Sequence, residues 1–122
     1  MDEKENTIQN KSFNFALRII KLRQYLNKEH KEYSIADQIL RSGTSVGANV
    51  SEAEYAQSKS DFINKMNIAL KEANETSYWL RLLFFGNYLD EKMFNSLFSD
   101  CKELIGILHA IVKTSKENNK KK

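Results

Sequence analysis

The sequence predicts an all-α protein, an antiparallel up-down four-helix bundle, and three observations carry that expectation. No proline occurs among the 122 residues, whereas turn-rich β-proteins draw on it at edges and turns. Apolar residues recur at helical spacing through four long segments. The breaks between those segments are short, which favours neighbouring helices running antiparallel. A chain of this length makes one domain with a sizeable core. The bundle is expected over residues 1–114, followed by a basic disordered tail over residues 115–122.

The first helix is expected from about Ile8 to Asn27, and it is apolar on two sides. At roughly 100° per residue, Phe13, Ala16, Leu17 and Ile20 form one stripe. Phe15, Ile19, Leu22 and Leu26 form another, nearly opposite. Such a helix has two things to bury against, its own bundle and a neighbouring subunit.

The second helix is expected to start after Ser34, with Asp37 three residues on in a capping-box-like pairing. Ile35, Ala36, Ile39, Gly43, Val46, Val50 and Ala53 keep the helical period through the glycine-rich stretch RSGTSVGANVSEAEY. That stretch resembles a phosphate loop in composition alone. It has neither the G-x-x-x-x-G-K-[ST] nor the G-x-G-x-x-G spacing, and no strand precedes it. Each glycine costs a helix about 1 kcal/mol. Gly43 and Gly47 lie four apart on the apolar side, where a missing Cβ lets another helix approach closely.

The third helix is expected from Ser58, with Asp61 in its first turn, to about Phe85. Its core stripe reads Phe62, Met66, Ala69, Leu70, Ala73, Leu80 and Phe84. Gly86-Asn87 suits a left-handed stop, and Asp90 can cap the fourth helix. There Phe94, Leu97, Cys101, Leu104, Leu108 and Ile111 alternate by three and four in a heptad seam. The apolar signal ends after Val112.

Charge and composition exclude several function classes. The net charge is +3, but the last ten residues hold five lysines and one glutamate, so the rest carries 14 basic and 15 acidic side chains, a net of −1. A near-neutral body argues weakly for a broad nucleic-acid surface. No apolar run approaches the roughly 20 residues of a membrane span, and the polar start MDEKENTIQN is unlike a signal peptide. With one cysteine an internal disulfide is ruled out, and a soluble cytoplasmic protein is expected.

Gln38, Arg41, Ser45, Asn49 and Glu52 share one face of the second helix. Two readings stand. One is a solvated face with local Arg41–Ser45 or Asn49–Glu52 contacts. The other is an ordered polar seam against another helix or subunit, with Glu75 as partner for Arg41. Glu72 and Glu75 invite a di-iron reading, but neither His30 nor His109 stands in a Glu-x-x-His motif, and both are expected on the surface, His30 in a loop. Cys101 falls at a core position and has no activating partner. No metal, cofactor, small-molecule substrate or catalytic group is expected. Tyr78, Trp79, Phe84, Phe85 and Tyr88 crowd the end of the third helix, where such clusters close a core or anchor a contact. Trp79 and Leu83 lie off its main stripe and give it a second face, so self-association is favoured.

The stretch from Ala36 to Leu83 resembles the proteins encoded in 23S rRNA intervening sequences. The residues that carry the resemblance are Gln38, Arg41-Ser42, Ser45, Asn49, Glu52, Ser58, Asp61-Phe62, Ile68-Ala69, Glu75 and Trp79-Leu80. Ala53 departs from it, since many relatives carry glycine there. The resemblance implies a bundle assembling into a ring, typically a homopentamer, and a kinship with the accessory protein of diversity-generating retroelements, which works with a reverse transcriptase and RNA. It brings no agreed catalytic residues. It makes Gln38, Arg41, Ser45, Asn49, Glu52, Glu75 and Trp79 a structural or interface signature. The expected function is a non-enzymatic oligomer that binds RNA or a protein–RNA assembly, with Lys116, Lys120, Lys121 and Lys122 as candidate phosphate contacts. The rival is a protein–protein scaffold that never touches nucleic acid.

Overall fold

The computed structural model describes residues 7–120 as four helices: α1 (Ile8–His30), α2 (Ser34–Ala53), α3 (Lys59–Phe85) and α4 (Glu91–Lys120). Each helix packs on its neighbours in the order α1–α2–α3–α4–α1, leaving α1 and α3 on one diagonal. The up-down four-helix bundle read from the sequence is the fold. None of these helices is long and apolar enough to cross a membrane.

The helix ends show where local signals held and where tertiary context replaced them. Thr7 opens α1 by accepting the Asn10 N–H at 3.2 Å. The helix runs three residues past the expected Asn27, so His30 sits in its last turn and not in a loop. No breaker intervenes, Lys28 and His30 suit the negative end of the helix dipole, and Lys31 takes the left-handed turn at φ 51°. The Ser34–Asp37 cap does not form. Glu32 accepts the Ala36 N–H through Oε1 at 2.8 Å, and Asp37 pairs with Arg23 of α1 at 3.1 Å.

Ser58 caps α3 by accepting the Asp61 N–H at 3.0 Å. At the other end Asn87, at φ 70°, takes the left-handed position rather than Gly86, and the Tyr88 N–H reaches the Leu83 carbonyl at 2.8 Å. Asp90 accepts the Met93 N–H at 2.8 Å and starts α4. That helix continues through Lys120, well into the segment expected to be disordered from residue 115. Val112 is still buried and anchors the last apolar turn, and the exposed polar turns beyond it continue the helix. Lys121 and Lys122 lie outside the described residues.

The core takes Phe15, Ile19, Leu22 and Leu26 from α1, all nearly inaccessible. The opposite stripe of α1 stays outside: Phe13 is 61% exposed, Leu17 46% and Ile20 39%. On α3, Leu83 is fully buried although its spacing placed it off the stripe, whereas Phe62, Leu70 and Phe84 are only half-buried. In α4 the last core position belongs to Val112, with Ile111 half-buried beside it. Gly43 and Gly47 both face α1. A Cβ on Gly43 would stand 2.8 Å from Ile19 Cγ1, and one on Gly47 would stand 3.3 Å from the Ser12 carbonyl oxygen. The glycine-rich stretch is therefore the surface on which α1 and α2 meet.

Candidate functional site

The polar face of α2 divides in the folded chain. Gln38 is exposed, while Arg41 leaves its own helix and crosses to α3. Its guanidinium lies 2.8 Å from Glu72 Oε2 and 2.5 Å from Glu75 Oε1. The Glu75 hydrogen bond, with added pull from both carboxylates, raises the Arg41 pKa above its ordinary value, so the cation persists throughout the working pH range. One turn on, Asn49 donates to the Ser45 carbonyl at 2.9 Å, and neither residue leaves α2. At the far end Glu52 meets Lys65 of α3 at 3.2 Å. The Arg41–Ser45 and Asn49–Glu52 contacts expected on a solvated face give way to these.

Beneath Arg41 lies a pair that the polar-face pattern missed. Ser42 and Thr76 are fully buried, their hydroxyl oxygens 2.8 Å apart, and Thr76 Oγ1 is also 2.8 Å from the Glu72 carbonyl. One hydroxyl proton cannot serve both contacts, so Thr76 donates to Glu72 and Ser42 donates to Thr76. The signal was present: Ser42 sits between Ile39 and Val46 at core spacing, and Thr76 between Ala73 and Leu80. A hydroxyl at a core position demands a buried partner. The α2–α3 seam thus has a buried neutral pair under a half-exposed ion cluster.

Because Arg41 is 50% exposed, the cluster contributes modestly. Arg41→Ala should lower stability by about 1 kcal/mol, and the loss should shrink when urea midpoints are measured in 1 M salt, where exposed charges are screened. Equal losses at low and high salt would assign the effect to packing of the arginine stem.

Other candidates resolve into structural roles. Trp79 packs half-buried against the core, edge-on to Tyr78 at 5.2 Å, and its buried Nε1–H has no hydrogen-bond partner among the described residues. Phe84, Phe94 and Phe98 form a continuous stack between α3 and α4, with centroids 4.4 and 4.9 Å apart. His30 lies edge-on to Tyr25 and Tyr88, each at 5.4 Å, and His109 is exposed on α4. Among the described residues no three His, Cys, Asp or Glu side chains converge on a metal position. Cys101 is inaccessible, its Sγ 3.3 Å from the Ala73 carbonyl oxygen, and burial pushes the thiol up to about 12. The thiolate is the reactive form, so iodoacetamide at pH 8 should leave the native protein unmodified while labelling Cys101 fully in urea, as read by intact mass. Lys116 and Lys120 are exposed along α4.

Where titratable side chains gather, as Lys11, Arg18, Asp100 and Glu103 do between α1 and α4, they pair with one another, and polar groups that satisfy one another across helices define a small helical-bundle protein. This chain belongs to the 23S rRNA-intervening sequence protein family, whose sequence pattern matches residues 4–110. It is similar to a crystal structure from Bacteroides thetaiotaomicron VPI-5482, described as a protein with unknown function from the S23 ribosomal protein family. Identity is 51% over 88% of this chain and 99% of that one, with a TM-score of 0.87. No curated protein matches the chain.

Proposed function

We propose that this protein is a non-enzymatic, self-associating bundle that works in the cytoplasm on RNA or an RNA–protein assembly. The observation that supports it best is a pair of unlike apolar surfaces on diagonal helices. Phe13, Leu17 and Ile20 are exposed along α1, and Tyr78, Leu82 and Phe85 along α3, at 51%, 38% and 74% exposure for the last three. Beside the α1 stripe a groove of about 360 Å³ runs along α2, lined by Phe13, Ala16, Gly47 and Ala48. Patches on opposite sides, unlike one another, suit head-to-tail contact, and such contacts close into a ring when the rotation permits. A pentamer, as the family resemblance implies, is one such ring. In this reading the Arg41–Glu72–Glu75 cluster braces each subunit so that both patches keep their relative placement.

The RNA part of the reading leans on the family, whose name carries the 23S rRNA intervening sequence, and on the lysines of α4. Sedimentation of Leu17→Glu and Leu82→Glu beside the unaltered chain tests the assembly. Both positions are exposed, so each variant should fold with an unchanged helical spectrum yet sediment as a monomer. Variants that assemble as the parent does would remove self-association through these stripes and favour a monomeric scaffold.

A further inference from the structure

Apart from the exposed Glu117 near its end, the outer surface of α4 separates charge by flank. Toward α1, Asp100 meets Arg18 at 2.6 Å and Glu103 meets Lys11 at 3.1 Å, so both carboxylates are used inside the bundle. Toward α3, Lys102, His109, Lys113, Lys116 and Lys120 recur at steps of seven, four, three and four residues, all exposed. Those steps hold the five side chains within about 60° of arc and spread them over about 27 Å of helix. Among the described residues no ion pair engages these four lysines.

Among the described residues no carboxylate lines the adjoining α3–α4 groove. Its two hollows are lined by Asn67, Leu70, His109, Val112, Lys113 and Lys116, and by Lys59, Phe62, Ile63, Ser115 and Asn118. Lys116 and Lys120 join this row only because α4 remains helical to Lys120; in a disordered tail they would share no direction with Lys102 and Lys113.

A second feature sits in the row. Gly106 lies in the interior of α4, between Lys102 and Lys113, where glycine weakens a helix. A Cβ there would meet nothing within 4 Å, so packing inside the bundle does not call for it. A bare backbone at the middle of a cationic row leaves room for something to approach from outside. Moreover, α4 carries none of the exposed large apolar side chains found among the described residues, so its outer flank stays clear of the self-association stripes.

Resting on the RNA reading above, we propose that this α3–α4 flank is a rail for the phosphate backbone of double-helical RNA. Ammonium groups along a line match a regular row of phosphates, and Asn67, Ser115 and Asn118 supply neutral donors and acceptors for 2′-hydroxyls. Unpaired bases need an open aromatic face to stack on. Both phenylalanines beside the rail are already engaged: Phe62 packs half-buried against the core, and Phe98 is stacked on Phe94 at 4.9 Å with Lys102 Nζ over its ring at 5.2 Å from the centroid.

The test is fluorescence anisotropy with an RNA hairpin, a DNA hairpin of the same sequence and an unstructured RNA, each across a salt series. Lys113→Gln/Lys116→Gln is compared with the full-length parent and with Lys21→Gln/Lys28→Gln, which removes the same charge from α1. The rail variant should bind the RNA hairpin about tenfold more weakly near 0.1 M salt and lose about two from the slope of log K against log salt. The α1 variant should match the parent. Gly106→Leu should fold with a Tm at or slightly above the parent's, since its side chain enters open space and leucine suits a helix better than glycine, yet weaken the RNA hairpin several-fold. A rail variant with the parent's affinity and slope overturns the rail and leaves RNA binding to another surface. Equal affinity for the DNA hairpin, or tighter binding of unstructured RNA, overturns the choice of duplex RNA. A parent that binds none of the three sinks both the rail and the RNA reading.

Discussion

Gly43→Val should destabilise the bundle by about 3 kcal/mol, near the upper end of ordinary overpacking costs. A Cβ at this position would lie 2.8, 2.9 and 3.2 Å from Ile19 Cγ1, Cγ2 and Cβ. Ile19 is fully buried, and its branch point is stiff about χ1, so it cannot swing aside as a long flexible tip would. Either α1 and α2 move apart, opening voids around Val46 and Leu26, or Ile19 leaves its rotamer. The other glycines grade the effect. Gly47→Ala faces the Ser12 carbonyl at 3.3 Å and should cost little after its gain in helix propensity. Gly106→Ala meets nothing and should stabilise by about 0.5–1 kcal/mol. Urea midpoints at unchanged m would give these values. Contact with Ile19 as the cause is checked by a double-mutant cycle: Gly43→Ala combined with Ile19→Ala should cost less than the two separate losses together. Strict additivity would mean that Gly43 matters for some reason other than its closeness to Ile19.

That glycine also marks how far the sequence could be read. Helical period alone placed Gly43 and Gly47 on the inner face of α2, and the absence of a phosphate-loop spacing kept them in a helix. Which helix they admitted was open, because one face of α2 can lean on either neighbour until the bundle closes. The same limit governs the seam. Arg41, Glu72 and Glu75 were each visible as charged residues at helical spacing. The Arg41–Glu75 pairing was one of two open readings, and the structure forms it; the choice depends on the rotation of α2 against α3, which the Ser42–Thr76 pair helps to set. Helix ends were legible where one residue caps its own turn, as at Ser58 and Asp90. They were not where the partner came from elsewhere: Asp37 is drawn off by Arg23 on α1, and Glu32 caps α2 from the connecting turn. Apolar periodicity also hid the length of α4, since its last turns carry charge and amides and bury almost nothing.

Thr76→Val should cost about 2 kcal/mol even though it preserves volume and branching. The methyl that replaces the hydroxyl cannot accept from Ser42, whose remaining acceptor, the Ile39 carbonyl, is 3.5 Å away, too long for a good bond. A buried hydroxyl left unpaired loses about 1–3 kcal/mol of solvation with little in return. The Glu72 carbonyl loses one donor too, though it keeps its helical bond. Removing both polar groups is another matter. Ser42→Ala with Thr76→Val leaves no stranded donor, and a missing oxygen opens only a small void, so the double variant should recover most of the single loss. The pair would then be worth more for fixing the rotation of α2 on α3 than for stability. Two measurements separate these contributions. Urea midpoints give the free energies, and the near-ultraviolet signal of Trp79, on the same helix less than one turn from Thr76, reports whether packing stays unique. Recovery of stability with a weakened tryptophan signal is the expected outcome. A double variant as unstable as Thr76→Val alone would show that the cost comes from packing, and that the hydroxyl pair contributes nothing of its own.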